Sequence, residues 1–322
     1  MGWEGRHVLV TGGAGFIGSH VADMALARGA RVTVFDDFST GFHEFVPKSE
    51  RVKLVEADLL DADRVEAAMR GVDFVFHMAA NADIRDNFSE PRKCVDQNVV
   101  VTQNVLEAMR ASGTKEIAFA STGSVYGEAT VIPTPEDSPF PVQTSIYAST
   151  KVAAEGLLTS YAQAKPAPEF RTWIFRFVSL LGPRYTHGHV VDFYRKLKAD
   201  PTRLPVLGNG LQKKSYLHVT DCVEAMFIAV DKAREPINVF NLGHSDWIEV
   251  RESIAIITKA MGVAPSIEYA GGERGWPGDS PRILLDTARI RGLGWAPTKS
   301  IAEGVVETLK FLAENAYAEK RG

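Results

Sequence analysis

Short runs of β-branched and aliphatic residues recur through the first half of the chain: RHVLVTG, RVTVFD, VKLVEAD, VDFVFHMAA, KEIAFAST and RTWIFRFV. They are nearly continuous in apolar character rather than alternating, the pattern of strands in a parallel sheet covered on both faces. Between them the period changes. IGSHVADMALARGA sets Ile17, Val21, Met24 and Ala25 at helical spacing and stops at Gly29, and CVDQNVVVTQNVLEAMRASG stops at Gly113. This alternation predicts an α/β fold built on a doubly wound parallel sheet of the Rossmann type.

Beyond Leu180 the pattern loosens. GPRYTHGHV, DPTRLPVLGNG and GGERGWPGDSP are too rich in Pro and Gly for central strands, and they predict a smaller, loop-rich α/β lobe at the carboxyl edge of the sheet. INVFNLG is expected to return to the main sheet. A last helix, from about Ile301 to Ala316, would bury Val305, Leu309 and Leu312. The expected division is a nucleotide-binding domain over 1–180 and a substrate lobe over 181–322, with about 215–245 returning to the first domain.

Composition narrows the partners. With 322 residues and 45% hydrophobic content the chain can bury a large core, and a formal net charge of -4 gives no basic footprint for nucleic acid or an anionic membrane. A small molecule is the expected partner. Cys94 and Cys222 are the two cysteines, far apart and without metal-ligand spacing, and are expected as buried free thiols. The opening MGWEGRHVLV enters a strand at once, and no run approaches ~18 apolar residues, so the expected location is the cytoplasm.

VLVTGGAGFIGSH sets Gly12, Gly15 and Gly18, with Phe16 and Ile17, between the first strand and first helix. Glycines let the backbone turn tightly and approach a pyrophosphate, which the helix terminus attracts. The second strand ends in Asp36, placed to accept from a ribose hydroxyl and to repel a 2'-phosphate, so NAD is expected over NADP. Asp58 and Leu59, after the third strand, are expected at the adenine, and Asp61 as a helix cap. Further on, SIYASTK puts Tyr147 and Lys151 one helical turn apart, where an ammonium would favour a phenolate able to act as a general base.

Together TGGAGFIGSH, Asp36, FHMAA, STGSVYG and YASTK resemble the extended short-chain dehydrogenase/reductase family, among its nucleotide-sugar epimerases and dehydratases. GNGLQKKSYLHVTDCVEA and GDSPRILLDTARIRGLGW extend the likeness to the second half. The resemblance implies a catalytic set of Thr122, Tyr147 and Lys151. It implies cofactor contacts at Asn98, Phe76, Ala79 and Ala80 besides the glycine loop, and sugar contacts at Ser121, Ser124 and Arg85. It implies nucleotide contacts at Ser179, Lys214, Arg274 and Asp279, with Ile283 where a large aromatic can narrow the sugar pocket. Ser179 replaces the family's usual Asn and Lys214 its Arg, which keeps the charge but loses the bidentate fork. A homodimer through helices near Cys94 and Thr144 is also implied. No metal is expected: His187 and His189 lack a third ligand and are expected on a loop over the substrate, while His77 and His218 are expected to be structural.

The two positions after Thr122 divide the family by reaction. Dehydratases of the family carry Asp-Glu there, and this chain has Gly123 and Ser124, neither able to replace a carboxylate near neutral pH. The resemblance then implies a 4-epimerase: Tyr147 takes the proton of the sugar 4-hydroxyl as hydride leaves C4, the 4-keto sugar turns over, and hydride returns to its other face. A UDP-hexose is the default substrate. The alternatives are a GDP-, CDP- or ADP-linked hexose, a uronic acid or a heptose, a 4,6-dehydratase, and a non-catalytic NAD-binding sensor or scaffold.

Overall fold

The structure is a computed structural model that describes residues 2–82, 89–164, 170–275 and 282–315. Its first half runs β1 (His7–Thr11), α1 (Phe16–Ala27), β2 (Arg31–Asp36), β3 (Val52–Glu56), α2 (Ala62–Met69) and β4 (Phe74–His77). There follow α3 (Pro91–Val95), a π-helical turn (Asp96–Val100), α4 (Val101–Ser112), β5 (Glu116–Thr122), α5 (Ile146–Gln163) and β6 (Arg171–Phe177). Then come β7 (Ser179–Leu181), α6 (His189–Ala199), β8 (Arg203–Val206), β9 (Lys213–Lys214), β10 (Tyr216–His218), α7 (Val219–Lys232) and β11 (Ile237–Leu242). The chain closes with β12 (Ile248–Glu249), α8 (Val250–Met261), β13 (Ser266–Tyr269), β14 (Arg282–Ile283), α9 (Ala288–Gly292) and α10 (Ile301–Glu314).

Seven strands form the main sheet in the order β11-β6-β5-β4-β1-β2-β3, so INVFNLG does return to it as β11. The pairs β1–β2, β1–β4, β2–β3 and β4–β5 are parallel. Their apolar sequences are explained by burial on both faces: every residue of β4 and of β5 is buried. Leu9, Val75, Ile117 and Phe119 pack with Val65 and Met69 of α2, Val105 and Leu106 of α4 and Leu158 of α5 in one core cluster. The long helix expected to end at Gly113 does so, with Gly113 in the left-handed region at φ 78, but a π-helical turn interrupts it at Asp96–Val100.

Contacts group the chain into two units. The first comprises 1–125, 145–176 and 223–240; the second 126–144, 177–222 and 241–322. The segment 126–144 thus falls in the second unit, and the return to the first spans Val223–Phe240, narrower than the expected 215–245. In the second unit α10 begins at the capping box of Ser300 and Glu303 and ends at Glu314, and it packs on α6 and α8. Asp221 ties the preceding loop by accepting from Thr298 N (3.0 Å), Thr298 Oγ1 (2.7 Å) and Lys299 N (3.0 Å).

Candidate active site

Parallel register brings the carboxyl ends of three strands side by side: Thr11 lies opposite both Phe35 and His77. The glycine loop follows directly. Gly12 has φ +64, and a Cβ there would stand 2.7 Å from Ala79 N and Cα; a Cβ on Gly18 would stand 2.0 Å from Gly12 O. Only bare backbone lets the loop, the β4 terminus and α1 approach this closely. Gly15 is the N-cap of α1 and supplies no side-chain cap, and the positive end of the helix favours an anion at this terminus. Phe16 and Ile17 open that turn.

Asp36, 7% exposed, is aimed by its surroundings: Oδ2 accepts from Ala14 N (2.9 Å) and Oδ1 from Phe38 N (2.8 Å). This cradle fits the pyrophosphate and ribose of a dinucleotide. Asp58 accepts from Leu60 N and from Gln97 Nε2, and Asp61 caps α2 by accepting from Arg64 N. Ala79 N donates to Thr11 Oγ1 at 3.4 Å, which fixes the Ala79–Ala80 turn against β1. The Leu59 side chain packs in the hydrophobic core, and the Phe76 ring packs on Trp3 and Phe227, with centroids 5.8 and 5.0 Å away.

The hydroxyl cluster lies at the end of β5. Gly123–Tyr126 turn into a 3-10 helix, and Thr122 Oγ1 accepts from Ser124 N (3.1 Å) and bonds Ser124 Oγ (3.2 Å). Ser145 caps α5 by accepting from Ala148 N, placing Tyr147 and Lys151 on the buried face of its first turns. Burial pushes the Tyr147 phenol well above its ordinary range, and a hydrogen bond with Thr122 pulls the other way. Burial lowers Lys151 to about 7, opposed by the nearby Glu155. The expected lysine-driven phenolate is therefore not a property of the protein alone: Lys151 Nζ donates to Ala120 O (2.8 Å) and lies 5.9 Å from the Tyr147 ring centroid.

Asn98 sits in the π-helical turn and is spent on the scaffold. Its Oδ1 accepts from Asn81 N (2.9 Å), and its Nδ2 donates to Asn81 O (3.1 Å), Thr150 Oγ1 (3.0 Å) and Cys94 Sγ (3.3 Å). It stitches the loop after β4 to α5. Ser121 also departs from expectation: it is fully buried, and its hydroxyl donates to Glu155 Oε1 rather than facing a sugar. Glu155 in turn accepts from Arg176 Nε (3.0 Å) and Nη2 (2.6 Å). Sequence reasoning missed this cluster, although Glu155 continues the four-residue spacing of Tyr147 and Lys151. His77 is structural, as expected, bonded to Thr11 Oγ1 (2.7 Å) and Thr102 Oγ1 (3.0 Å).

The nucleotide candidates Ser179, Lys214 and Arg274 lie in the second unit, while Asp279 and the sugar candidate Arg85 fall outside the described residues. Ser179 is exposed at the start of β7, and Lys214 pairs with Ile283 across β9 and β14. Arg274 forms an exposed ion pair with Glu128. His189, expected on a loop, instead begins α6 with Nε2 2.8 Å from Ser253 Oγ and its ring on Tyr216. His218 bonds Thr220 Oγ1 (2.7 Å) and Glu307 Oε2 (3.0 Å).

Known proteins share this architecture along nearly its whole length. A UDP-glucose 4-epimerase of Mycolicibacterium smegmatis is 33% identical over 319 residues, spanning 94% of this chain and 97% of its own. A solved UDP-galactose 4-epimerase structure superposes with a TM-score of 0.86 at 37% identity, covering 96% of this chain and 99% of its own. The UDP-glucose 4-epimerase of Thermus thermophilus, solved in complex with NAD, gives a TM-score of 0.85 at 33% identity with the same coverage. A model of the NAD-dependent epimerase/dehydratase family matches residues 8–243. With its glycine cradle, buried Tyr147 and Lys151 and that match, the chain belongs to the NAD-dependent epimerase/dehydratase family.

Proposed function

We propose that the chain is an NAD-dependent nucleotide-sugar 4-epimerase acting on a UDP-hexose. The observation that carries this reading is the turn after Thr122: Gly123 has no side chain, and the Ser124 hydroxyl is bonded to Thr122. Elimination of water needs an acid and a base beside Tyr147. That turn supplies neither. NAD, when bound, supplies a reversible hydride acceptor and a positive charge beside the phenol. Thr122 holds the sugar 4-hydroxyl, and Tyr147 removes its proton and later returns it. Lys151 holds the cofactor ribose, and the α1 terminus with Gly12, Gly15 and Gly18 holds the pyrophosphate. Asn98 keeps the β4 loop against α5. Ser179, Lys214 and Arg274 are the proposed contacts to the nucleotide diphosphate.

The same reading includes a homodimer through α4 and α5 and a place in the cytoplasm. In support of the dimer, Ser149, Ala153, Gly156 and Ser160 form an exposed stripe of small residues along α5. Val95 and Val100 stand 39% and 38% exposed before α4. The two cysteines are buried free thiols, compatible with a reducing compartment.

The decisive experiment incubates purified protein with UDP-glucose, UDP-galactose and GDP-, CDP- and ADP-linked sugars, with and without added NAD, and reads products by NMR. A C4 epimer of a UDP-hexose without net NADH is expected. Loss of water, or NADH accumulating without an epimer, overturns the assignment, and turnover confined to another nucleotide moves the substrate.

A further inference from the structure

Tyr147, Lys151 and Glu155 follow one another at four-residue steps on α5 and so share one face of the helix. They are 8%, 1% and 4% exposed. Phe119 and Ser121, two apart on β5 and therefore on one face of the sheet, meet that helix face. The Phe119 ring lies 4.6 Å from Lys151 Nζ, and the Ser121 hydroxyl donates to Glu155 Oε1. Arg176, on β6, closes the cluster from the other side with two bonds to the Glu155 carboxylate. A buried ion pair of this kind is no better for stability than well-packed apolar side chains, so its presence asks for another role.

We propose that Glu155 is a positioning residue for the catalytic site: its carboxylate, immobilised by Arg176 and Ser121, keeps the buried Lys151 side chain charged and directed toward its bond with Ala120 O. The proposal rests on the reading of Lys151 as part of the catalytic set. The charges facing Lys151 favour it. On α5 these are Tyr147, a neutral phenol, and Glu155; from the other elements come Cys94, whose thiol burial pushes up, and His77, which burial holds neutral. Glu155 is the anion among them. Arg176 meets its carboxylate from β6, while Lys151 stands one helical turn from Glu155 on α5. Ser121, expected against the sugar, thereby acquires a role through Glu155.

The test follows Lys151 directly by NMR of protein labelled at the lysine ε-carbon, its signal assigned by its loss in Lys151→Met. The parent is expected to titrate near pH 7. In Glu155→Gln the midpoint falls by about 1 pH unit or more, since removal of a nearby opposite charge disfavours the charged form. Because Glu155→Gln also strands Arg176 and can compromise folding, Glu155→Gln/Arg176→Met is measured alongside it, and there the midpoint falls less but stays below that of the parent. The alkaline limb of kcat against pH moves to lower pH with the midpoint. A midpoint unchanged in both variants overturns the proposal and leaves the cluster structural. A midpoint that moves in a protein that epimerises nothing sustains the action of Glu155 on Lys151 and sinks the catalytic reading of the site instead.

Discussion

Asp36 is held before any ligand arrives, since Ala14 N and Phe38 N each donate to one of its oxygens, and a carboxylate oxygen can accept a further bond from a ribose hydroxyl. Replacing it by Asn removes the charge and turns an amide N–H toward one of those donors. Asp36→Asn is therefore expected to weaken NAD binding and to cut the preference for NAD over NADP by about tenfold or more, because repulsion of the 2'-phosphate is lost. Parallel titrations of the two cofactors check this, and an unchanged ratio would mean that shape, not charge, excludes the phosphate. Asp36, Tyr147 and Lys151 are legible in the sequence because each is defined by its place on an element: the end of a strand, or one helical turn. Ser121 and Phe76 are not. They lie on strands buried on both faces, where no apolar/polar alternation shows which side chain faces a site and which faces the core.

Elements bring the same lesson at a longer range. The glycine loop is readable because its strand and helix flank it, yet the reason for Gly18 is a contact: a methyl there would meet the backbone oxygen Gly12 O at 2.0 Å. No rotamer relieves that clash. Gly18→Ala is expected to push α1 away from the loop, lowering NAD affinity at least tenfold and stability by about 1–3 kcal/mol. Cofactor titration and chemical unfolding measure the two effects, and a variant that binds NAD normally would show that the loop relaxes freely. The sequence pattern through Asn98 is that of one continuous helix, and its end at Gly113 is correct. The π-helical turn leaves no mark in that pattern, since one wider turn hardly changes the apolar period over so short a span. Yet that turn contains Asn98, which joins the β4 loop to α5.

At the scale of the whole molecule the sequence announces the sheet, including the late return of β11, because parallel strands declare themselves as apolar runs wherever they fall. It does not announce that 126–144 groups with the second unit, since that segment is polar, Pro-rich and without a period. The global pH response is likewise set by three-dimensional burial. His77 is enclosed between Thr11 and Thr102, and burial lowers it to about 3; His189 is lowered to about 3, and His218 is lowered too, again chiefly by burial. An unfolded chain takes up these protons below its ordinary histidine pKa of 6.5, while the folded chain refuses them at His77 down to about pH 3. The unfolded state thus binds more protons across that window, and folding stability falls as pH falls from 6.5 toward 3. Within it His77 and His189 each contribute on the order of 1 kcal/mol per pH unit. Lys151, lowered to about 7, acts with the same sign above neutrality, so its burial weakens the fold less as pH rises from 7 toward 10.5. His77→Gln keeps a donor and an acceptor for the two threonines but cannot be protonated. Between pH 6.5 and 5 it is expected to lose about 2 kcal/mol less stability than the parent in urea unfolding. Parallel stability curves for the two proteins would mean that His77 takes up its proton in the folded state and that the acid limb arises elsewhere.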